Sequence, residues 1–211
     1  MRIILLGAPG AGKGTQARVI SNKFNMPHVS TGDILRHEIK GGSELGKKAA
    51  KFVESGKLVP DGIIIEIIKN KISSGKLKNG FLMDGFPRNL KQARMFSDML
   101  DQLGIKLDKV INIIVNKNEI IDRLSKRRTC SVCKSIFSVN NNHINSEKCP
   151  KCEGDLIKRK DDNKEVIKHR LEVYESETKS LTDFYAGKGL LVNIDGSGEE
   201  EEITKRILKV L

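Results

Sequence analysis

The chain has 211 residues, 38% hydrophobic and 31% charged, with a formal net charge of +11. That length supports one good core with small inserts, and that balance excludes a disordered chain. No apolar run approaches the ~20 residues of a membrane span, and the start lacks the apolar stretch and cleavage site of a secretory leader, so a cytoplasmic protein is expected. With no Trp, two Tyr and seven Phe, aliphatic side chains must build the core. The positive charge fits a nucleic acid or a polyphosphate and decides nothing alone.

The first element is the apolar run IILLG (3–7), which reads as a strand buried on both faces. It runs into GAPGAGKGT (7–15), which nearly fits the phosphate-binding pattern G-x-x-x-x-G-K-[ST]. Glycines leave backbone N–H groups free to converge on an anion at the start of a helix. Lys13 is placed to reach the outer phosphates. The hydroxyl, however, arrives one residue late, at Thr15 instead of position 14. In the standard loop that hydroxyl binds Mg²⁺ directly; here Thr15 faces a phosphate and the Mg²⁺ keeps more of its waters.

Residues 30–59 read as two short helices hinged at Gly41–Gly42, with no strand of their own. A helix then starts near Asp61, after Pro60. FLMD (81–84), KVINIIV (109–115) and LLVNI (190–194) repeat the buried-strand pattern, with helices at about 89–103, 117–126 and 199–210. This alternation predicts a parallel sheet with helices on both faces and ligands at the carboxyl ends of the strands. The NKNE stretch (116–119) is expected to supply a helix N-cap, not a guanine-reading motif, because Glu119 stands where that motif needs Asp. From Asp161 one long helix is expected to about Tyr185, capped by Asp161 and Asp162, which are also expected to brace the neighbouring arginines. Its stripe is Ile167, Leu171, Tyr174, Leu181 and Tyr185. His28, His37, His143 and His169 have no triad-like company and read as structural or surface residues.

Residues 126–162 break the alternation and hold all four cysteines. Cys130, Cys133, Cys149 and Cys152 form C-x₂-C-x₁₅-C-x₂-C, a spacing suited to tetrahedral zinc. Disulfides are out of place in a cytoplasmic chain. A redox pair would need a thioredoxin-like surrounding that is missing, and iron fits the same four thiolates. Four protein ligands leave no open position, so the metal is read as structural. It would supply folding free energy to a segment too polar to bury a core. Nine Lys/Arg against five Asp/Glu between Lys126 and Asp162 suit closure over a triphosphate.

With these motifs in order, the chain resembles the adenylate kinases, a nucleoside monophosphate kinase family. The resemblance is carried by GAPGAGKGT, STGDILR (30–36), GKLVP (56–60), DGFPRNLKQA (84–93) and RKDD (159–162), and the all-Cys insert matches the zinc-containing long-lid bacterial type. It implies an α/β P-loop NTPase core made of residues 1–29, 60–125 and 163–211, a helical AMP-binding insert at 30–59 and a zinc-binding lid at 126–162. The implied reaction is reversible, Mg-dependent transfer of the terminal phosphoryl group of ATP to AMP, giving two ADP. The implied catalytic set is Lys13, Arg88, Arg127, Arg159 and Arg170. ATP would be held by Gly10, Ala11, Gly12, Lys13, Gly14, Thr15 and Arg127, with Ile136, Phe137 and Gly198 near its base. AMP would be held by Thr31, Arg36, Lys57, Leu58, Val59, Gly85, Phe86, Pro87, Arg88, Gln92, Arg159 and Arg170, Gln92 reading adenine through its paired donor and acceptor. Asp84 would hold the waters of Mg²⁺.

No general base is needed, because the acceptor phosphate is already an anion. A monomer binding ATP, AMP and ADP is expected, with no nucleic acid and no membrane. The rival from another class is a nucleic-acid-binding zinc ribbon on an ATPase core. Against it, Phe137 is the only Phe, Tyr or Trp of the insert, which leaves bases little to stack on. UMP, CMP or GMP as acceptor is the closer rival.

Overall fold

The computed structural model describes residues 1–75, 77–139 and 147–211; the Asn run at 140–142 and His143 lie outside them. The first strand, β1 (Arg2–Leu6), sends Ile3 and Leu5 to one core and Ile4 and Leu6 to another. Successive side chains of a strand point to opposite faces, so an uninterrupted apolar run requires cover on both. On one face that cover is α1 (Lys13–Phe24), through Ala17 and Ile20.

A short strand, β2 (His28–Ser30), follows and pairs at the sheet edge. The helices α2 (Thr31–Gly41) and α3 (Glu44–Ser55) come next, then α4 (Asp61–Ser73). Ser30 and Ser43 cap α2 and α3 by accepting from the N–H of Asp33 (3.3 Å) and Gly46 (3.0 Å). These two helices lie so close that a β carbon at Gly46 would stand 2.2 Å from the Glu38 carbonyl oxygen. The expected hinge at Gly41–Gly42 is where they meet.

The next core strands are β3 (Phe81–Asp84) and β4 (Lys109–Ile114), with α5 (Leu90–Gln102) between them and α6 (Lys117–Lys126) after. Asn89 and Asn116 cap those helices, accepting from the N–H of Gln92 (2.8 Å) and Asn118 (2.9 Å). The NKNE stretch is thus a helix start, as expected.

The cysteine insert holds β5 (Arg127–Cys130), β6 (Ile136–Ser138) and β7 (Leu156–Ile157), an antiparallel sheet in the order β6-β5-β7. A 3₁₀ turn over Lys160–Asp162 leads to α7 (Lys164–Val173). Past a π turn at Tyr174–Thr178 come α8 (Leu181–Gly187), β8 (Leu191–Asp195) and α9 (Glu200–Leu208). Among the described residues the main sheet has five strands, all parallel, in the order β2-β3-β1-β4-β8.

One strand was not expected, and one expectation is corrected. The strand at 28–30 has only three residues and no apolar run to announce it. The long helix starts later, at Lys164, and is not uniform. Its cap is Asn163, which accepts from Val166 N–H (2.9 Å); Asp161 and Asp162 turn inward instead. The π turn lets one stripe serve two cores. Ile167 and Leu171 pack with Ile120 and Leu124 under the Gly-rich loop, while Leu181 and Tyr185 join the core under α4 and α5. Each such burial is worth about 1.5–3 kcal/mol.

Candidate active site

The carboxyl ends of β1 and β3, the start of α1 and the cysteine insert close around a cavity of about 440 Å³, with two recesses of about 80 and 60 Å³ beside it. Lys13, Gly14 and Thr15 begin α1 and line the cavity with Gly10 and Gly12. Gly12 caps the helix with φ 93°, a conformation glycine adopts without strain, and no side chain covers the first N–H groups. Ala11 is fully buried beneath the loop, and its N–H closes a turn onto the Ala8 carbonyl (3.1 Å). The Lys13 ammonium donates to the carbonyl oxygens of Gly7 (2.7 Å) and Ala8 (2.9 Å). Burial pushes its pKa down to about 8; Arg88, Arg170 and Arg127 push the same way and Asp84 opposes them.

Gly14, the residue that breaks the standard pattern, faces the cavity. A β carbon there would stand 3.5 Å from Asp84 Oδ2 and 3.6 Å from Ile136 Cδ1. A side chain at this position would project between the loop, the acid at the end of β3 and the cysteine insert. Asp84 itself lies 3.7 Å from His28 Nε2. Burial works against its charge, but His28 and Lys13 hold its carboxyl below the usual range. His28 therefore has a specific neighbour that its sequence context did not announce.

Arg88 follows β3 through Gly85 and a cis peptide between Phe86 and Pro87. Phe86 belongs to the core, where its ring meets Phe96 edge to face (centroids 5.2 Å). Of this stretch, Gly85, Pro87 and Arg88 line the recesses. The Arg88 backbone is pinned at both ends: its N–H donates to Gln92 Oε1 (2.8 Å), and its carbonyl accepts from the Thr178 hydroxyl (2.7 Å) in the π turn. Its Nε donates to the Gly85 carbonyl (2.9 Å), which also takes the Thr31 hydroxyl (2.8 Å). A π turn at such a place is in keeping with where these rare turns occur.

The other arginines converge on the same cavity. Arg36 pairs with Asp33 (2.6 Å), and Arg159 donates to Thr129 Oγ1 (3.0 Å). Arg127 binds Asp162 with two N–H groups, and Arg170 donates to Asp161 Oδ2 (2.9 Å) and Asp162 Oδ1 (3.2 Å). The two acids brace the arginines they neighbour. Burial first, and then mutual repulsion, pushes Arg88, Arg159 and Arg170 below the ordinary guanidinium range. All stay charged at neutral pH. Cations crowded this way are relieved by an anion, above all a multivalent one.

The smaller recess holds Thr31, Arg36, Lys57, Leu58, Val59, Gly85, Arg88 and Gln92. Gln92 is almost wholly buried, and both ends of its amide already have protein partners: Oε1 takes Arg88 N–H and Nε2 donates to Asp61 Oδ1 (2.9 Å). Ile136, Phe137 and Gly198 line the large cavity, so the only Phe, Tyr or Trp of the insert faces inward. Arg123 lines it too and was not singled out from the sequence. It donates to the Gly196 carbonyl (2.8 Å) and pairs with Glu119. Its place in the last turns of α6, four residues before Arg127, was the available signal.

The four cysteine sulfurs lie within 4.8 Å of one another, with 3.4 Å between Cys130 and Cys152 and 3.6 Å between Cys133 and Cys149. Zinc–thiolate bonds of about 2.3 Å in a tetrahedron put sulfurs about 3.8 Å apart, so the set fits one metal ion. Backbone N–H groups of Val132 and Cys133 point at Cys130 Sγ, and that of Lys151 at Cys149 Sγ, each at 3.4 Å. Such donors favour thiolates.

The family model for adenylate kinase matches residues 5–190. An adenylate kinase of Caldicellulosiruptor bescii is 50% identical over 212 positions, covering 100% of this chain and 99% of that one. Those of Acetivibrio thermocellus and Archaeoglobus fulgidus are 46% and 42% identical, each over 100% of this chain and 98% of the relative. A glycine-lined loop, inward-facing arginines and a match that runs end to end agree: the chain belongs to the adenylate kinase family.

Proposed function

We propose that the chain transfers the terminal phosphoryl group of ATP to AMP, giving two ADP, in the cavity between the Gly-rich loop and the cysteine insert. The observation that carries the reading is the convergence of Lys13, Arg36, Arg88, Arg127, Arg159 and Arg170 on one cavity, with no histidine among the described residues that line it. A monophosphate acceptor needs no base, and a set of fixed cations is what the charge on two phosphate chains calls for.

The chain's own residues would divide the work as follows. Gly10–Thr15 and Lys13 hold the triphosphate end of ATP, with Arg127 and Arg123 beside it. Ile136, Phe137 and Gly198 border its base. Arg36 and Arg88 hold the phosphate of AMP, while Thr31, Lys57–Val59 and Gln92 border its base. Arg159 and Arg170 reach the transferring group from the lid side and exclude water with the lid shut. Asp84 would hold the waters of Mg²⁺, which when bound would neutralise phosphate charge, while Thr15 would face a phosphate.

We assign zinc to the four thiolates, as the ion that stiffens residues 126–162 as a lid over the core; 30–59 form the second moving insert. The inserts already meet, Lys160 Nζ lying 3.4 Å from Glu54 Oε1. Free thiolates suit a reducing cytoplasm, and one chain supplies every group of the site, so a monomer suffices. A coupled assay of ATP with AMP, UMP, CMP and GMP tests the reading. AMP should win by at least tenfold, and no transfer to AMP would end it.

A further inference from the structure

Gln92 sits between two groups of fixed hydrogen-bonding character. The Arg88 backbone N–H can only donate, and it reaches Gln92 Oε1 at 2.8 Å. The Asp61 carboxylate can only accept, and its Oδ1 takes Gln92 Nε2–H at 2.9 Å. A reversed amide would set its oxygen against the carboxylate and its NH₂ against an N–H, losing two bonds and adding two repulsions. The same Oδ1 also takes Asn89 Nδ2–H at 3.0 Å, while Asn89 Oδ1 accepts from Gln92 N–H at 2.8 Å. One carboxylate oxygen therefore sets two side-chain amides at once.

We propose that Asp61 is a positioning residue that fixes which way round the Gln92 amide sits, and with it the choice of a 6-aminopurine over a 6-oxopurine in the acceptor recess. The inference rests on the function proposed above. Each end of an amide has capacity for a second bond, so after Asp61 and Arg88 are served Gln92 keeps one N–H and one lone pair. Gln92 lines the recess with Thr31, Lys57 and Val59. A 6-aminopurine offers a matching pair, the N1 acceptor and an N6–H donor. A 6-oxopurine offers the opposite pair, O6 as acceptor and N1–H as donor, and is met correctly only by a reversed amide.

Asp61 is suited to hold a negative charge here. It opens α4, where the helix dipole favours an anion, and Lys91 lies 3.6 Å away. Burial opposes the charge, but the donors from Asn89 and Gln92, with Lys91, outweigh it and hold the carboxyl below the usual range.

The test compares AMP with IMP, its 6-oxo counterpart without a further amino group, in wild type, Asp61→Asn and Asp61→Ala. Asn keeps the shape of Asp61 but presents either an acceptor or a donor, which leaves the Arg88 N–H alone to set the Gln92 amide. The AMP-over-IMP ratio of kcat/KM should fall at least tenfold in both variants, carried by KM for the monophosphate. The KM for ATP and kcat with AMP should stay within about twofold. If both variants melt cooperatively and keep the wild-type ratio, Asp61 does not set the amide and the inference is wrong. A parallel rise in both KM values at constant ratio would show a structural role only and would also overturn it. A wild type that transfers nothing to AMP removes the proposed function and this inference together, whereas an active wild type with an unmoved ratio removes this inference alone.

Discussion

Asp162 meets Arg127 at the base of the cysteine insert in a two-pronged ion pair, Nε–H to Oδ2 and Nη2–H to Oδ1, and its side chain has no exposed surface. Arg170 reaches the same carboxylate from α7. The link joins the insert to the core and aims two cations at the cavity. Removing the acid would leave both guanidinium groups partly buried and short of a partner. Breaking a buried pair costs about 3 kcal/mol, which in a chain of this size lowers the melting temperature by roughly 6–12 °C. Asp162→Asn should show that loss, and inorganic triphosphate should recover more of it in the variant than it adds to wild type. A variant melting within about 2 °C of wild type would mean the pair contributes no structure.

Arg88 is held by its backbone at N–H and C=O and by its own Nε on Gly85, so its geometry does not depend on the reach of a flexible stem. Loss of one such preorganised donor costs about 10²–10³ in turnover. Arg88→Ala should lose that much while its melting curve stays close to wild type, because the backbone partners remain. Near-normal turnover in this variant would take Arg88 out of the chemistry.

The long buried strands, the capped helices and the phosphate loop were legible because each follows from a local pattern. What was not legible depends on neighbours distant in sequence. The strand at His28–Ser30 exists because β3 offers it a partner, pairing Val29 with Met83. Asp161 and Asp162 pair with neighbouring arginines as expected, but that they do so instead of capping the helix is decided by Arg127 and Arg170 folding onto them. The π turn and its Thr178 contact lie 90 residues from Arg88, and no periodicity reports them. The arginines of the site were legible as a set, since one chemistry needs them all, whereas Arg123 lay outside the quoted motifs and was missed.

The lowered pKa of Lys13 gives nucleotide binding a pH dependence. Below about pH 8 the free ammonium is already charged, so binding a phosphate needs little proton uptake and affinity is flat. A bound phosphate raises the pKa, so above about pH 8 binding must add a proton, and affinity falls by up to about tenfold per pH unit. Calorimetry of ATP binding in buffers of different ionisation enthalpy should find little proton uptake at pH 7 and nearly one proton at pH 9. Lys13→Arg should abolish the difference. Equal uptake at both pH values in wild type would refute the assignment.

Zinc in the four-cysteine site should appear as one ion per chain in protein purified without chelators. A metal present at 1,000 times its dissociation constant adds about 4 kcal/mol to stability. Stripping it should therefore lower the melting temperature, and Cys149→Ser, at a buried ligand, should reproduce the loss. Metal analysis that finds no ion in the wild-type chain would end the zinc assignment.

Gly14 and Gly10 separate two reasons for a glycine in the same loop. At Gly10 the backbone has φ 86°, and a β carbon would stand 2.8 Å from Leu124 Cγ, so Gly10→Ala must strain both the loop and the packing beneath it. At Gly14 the backbone is helical and the nearest atoms, Asp84 Oδ2 and Ile136 Cδ1, lie at ordinary contact distance. Gly14→Ala should fold without loss and even gain up to about 1 kcal/mol from helix propensity. Its methyl group, however, enters the space between the loop, Asp84 and the lid, where the phosphates and the hydrated metal must fit. Turnover should fall at least tenfold while stability holds or rises, the opposite balance to Gly10→Ala, whose stability must fall. Full turnover in a stable Gly14→Ala chain would show that the missing side chain after Lys13 makes no room for a ligand, and that the displaced hydroxyl at Thr15 has no mechanical reason.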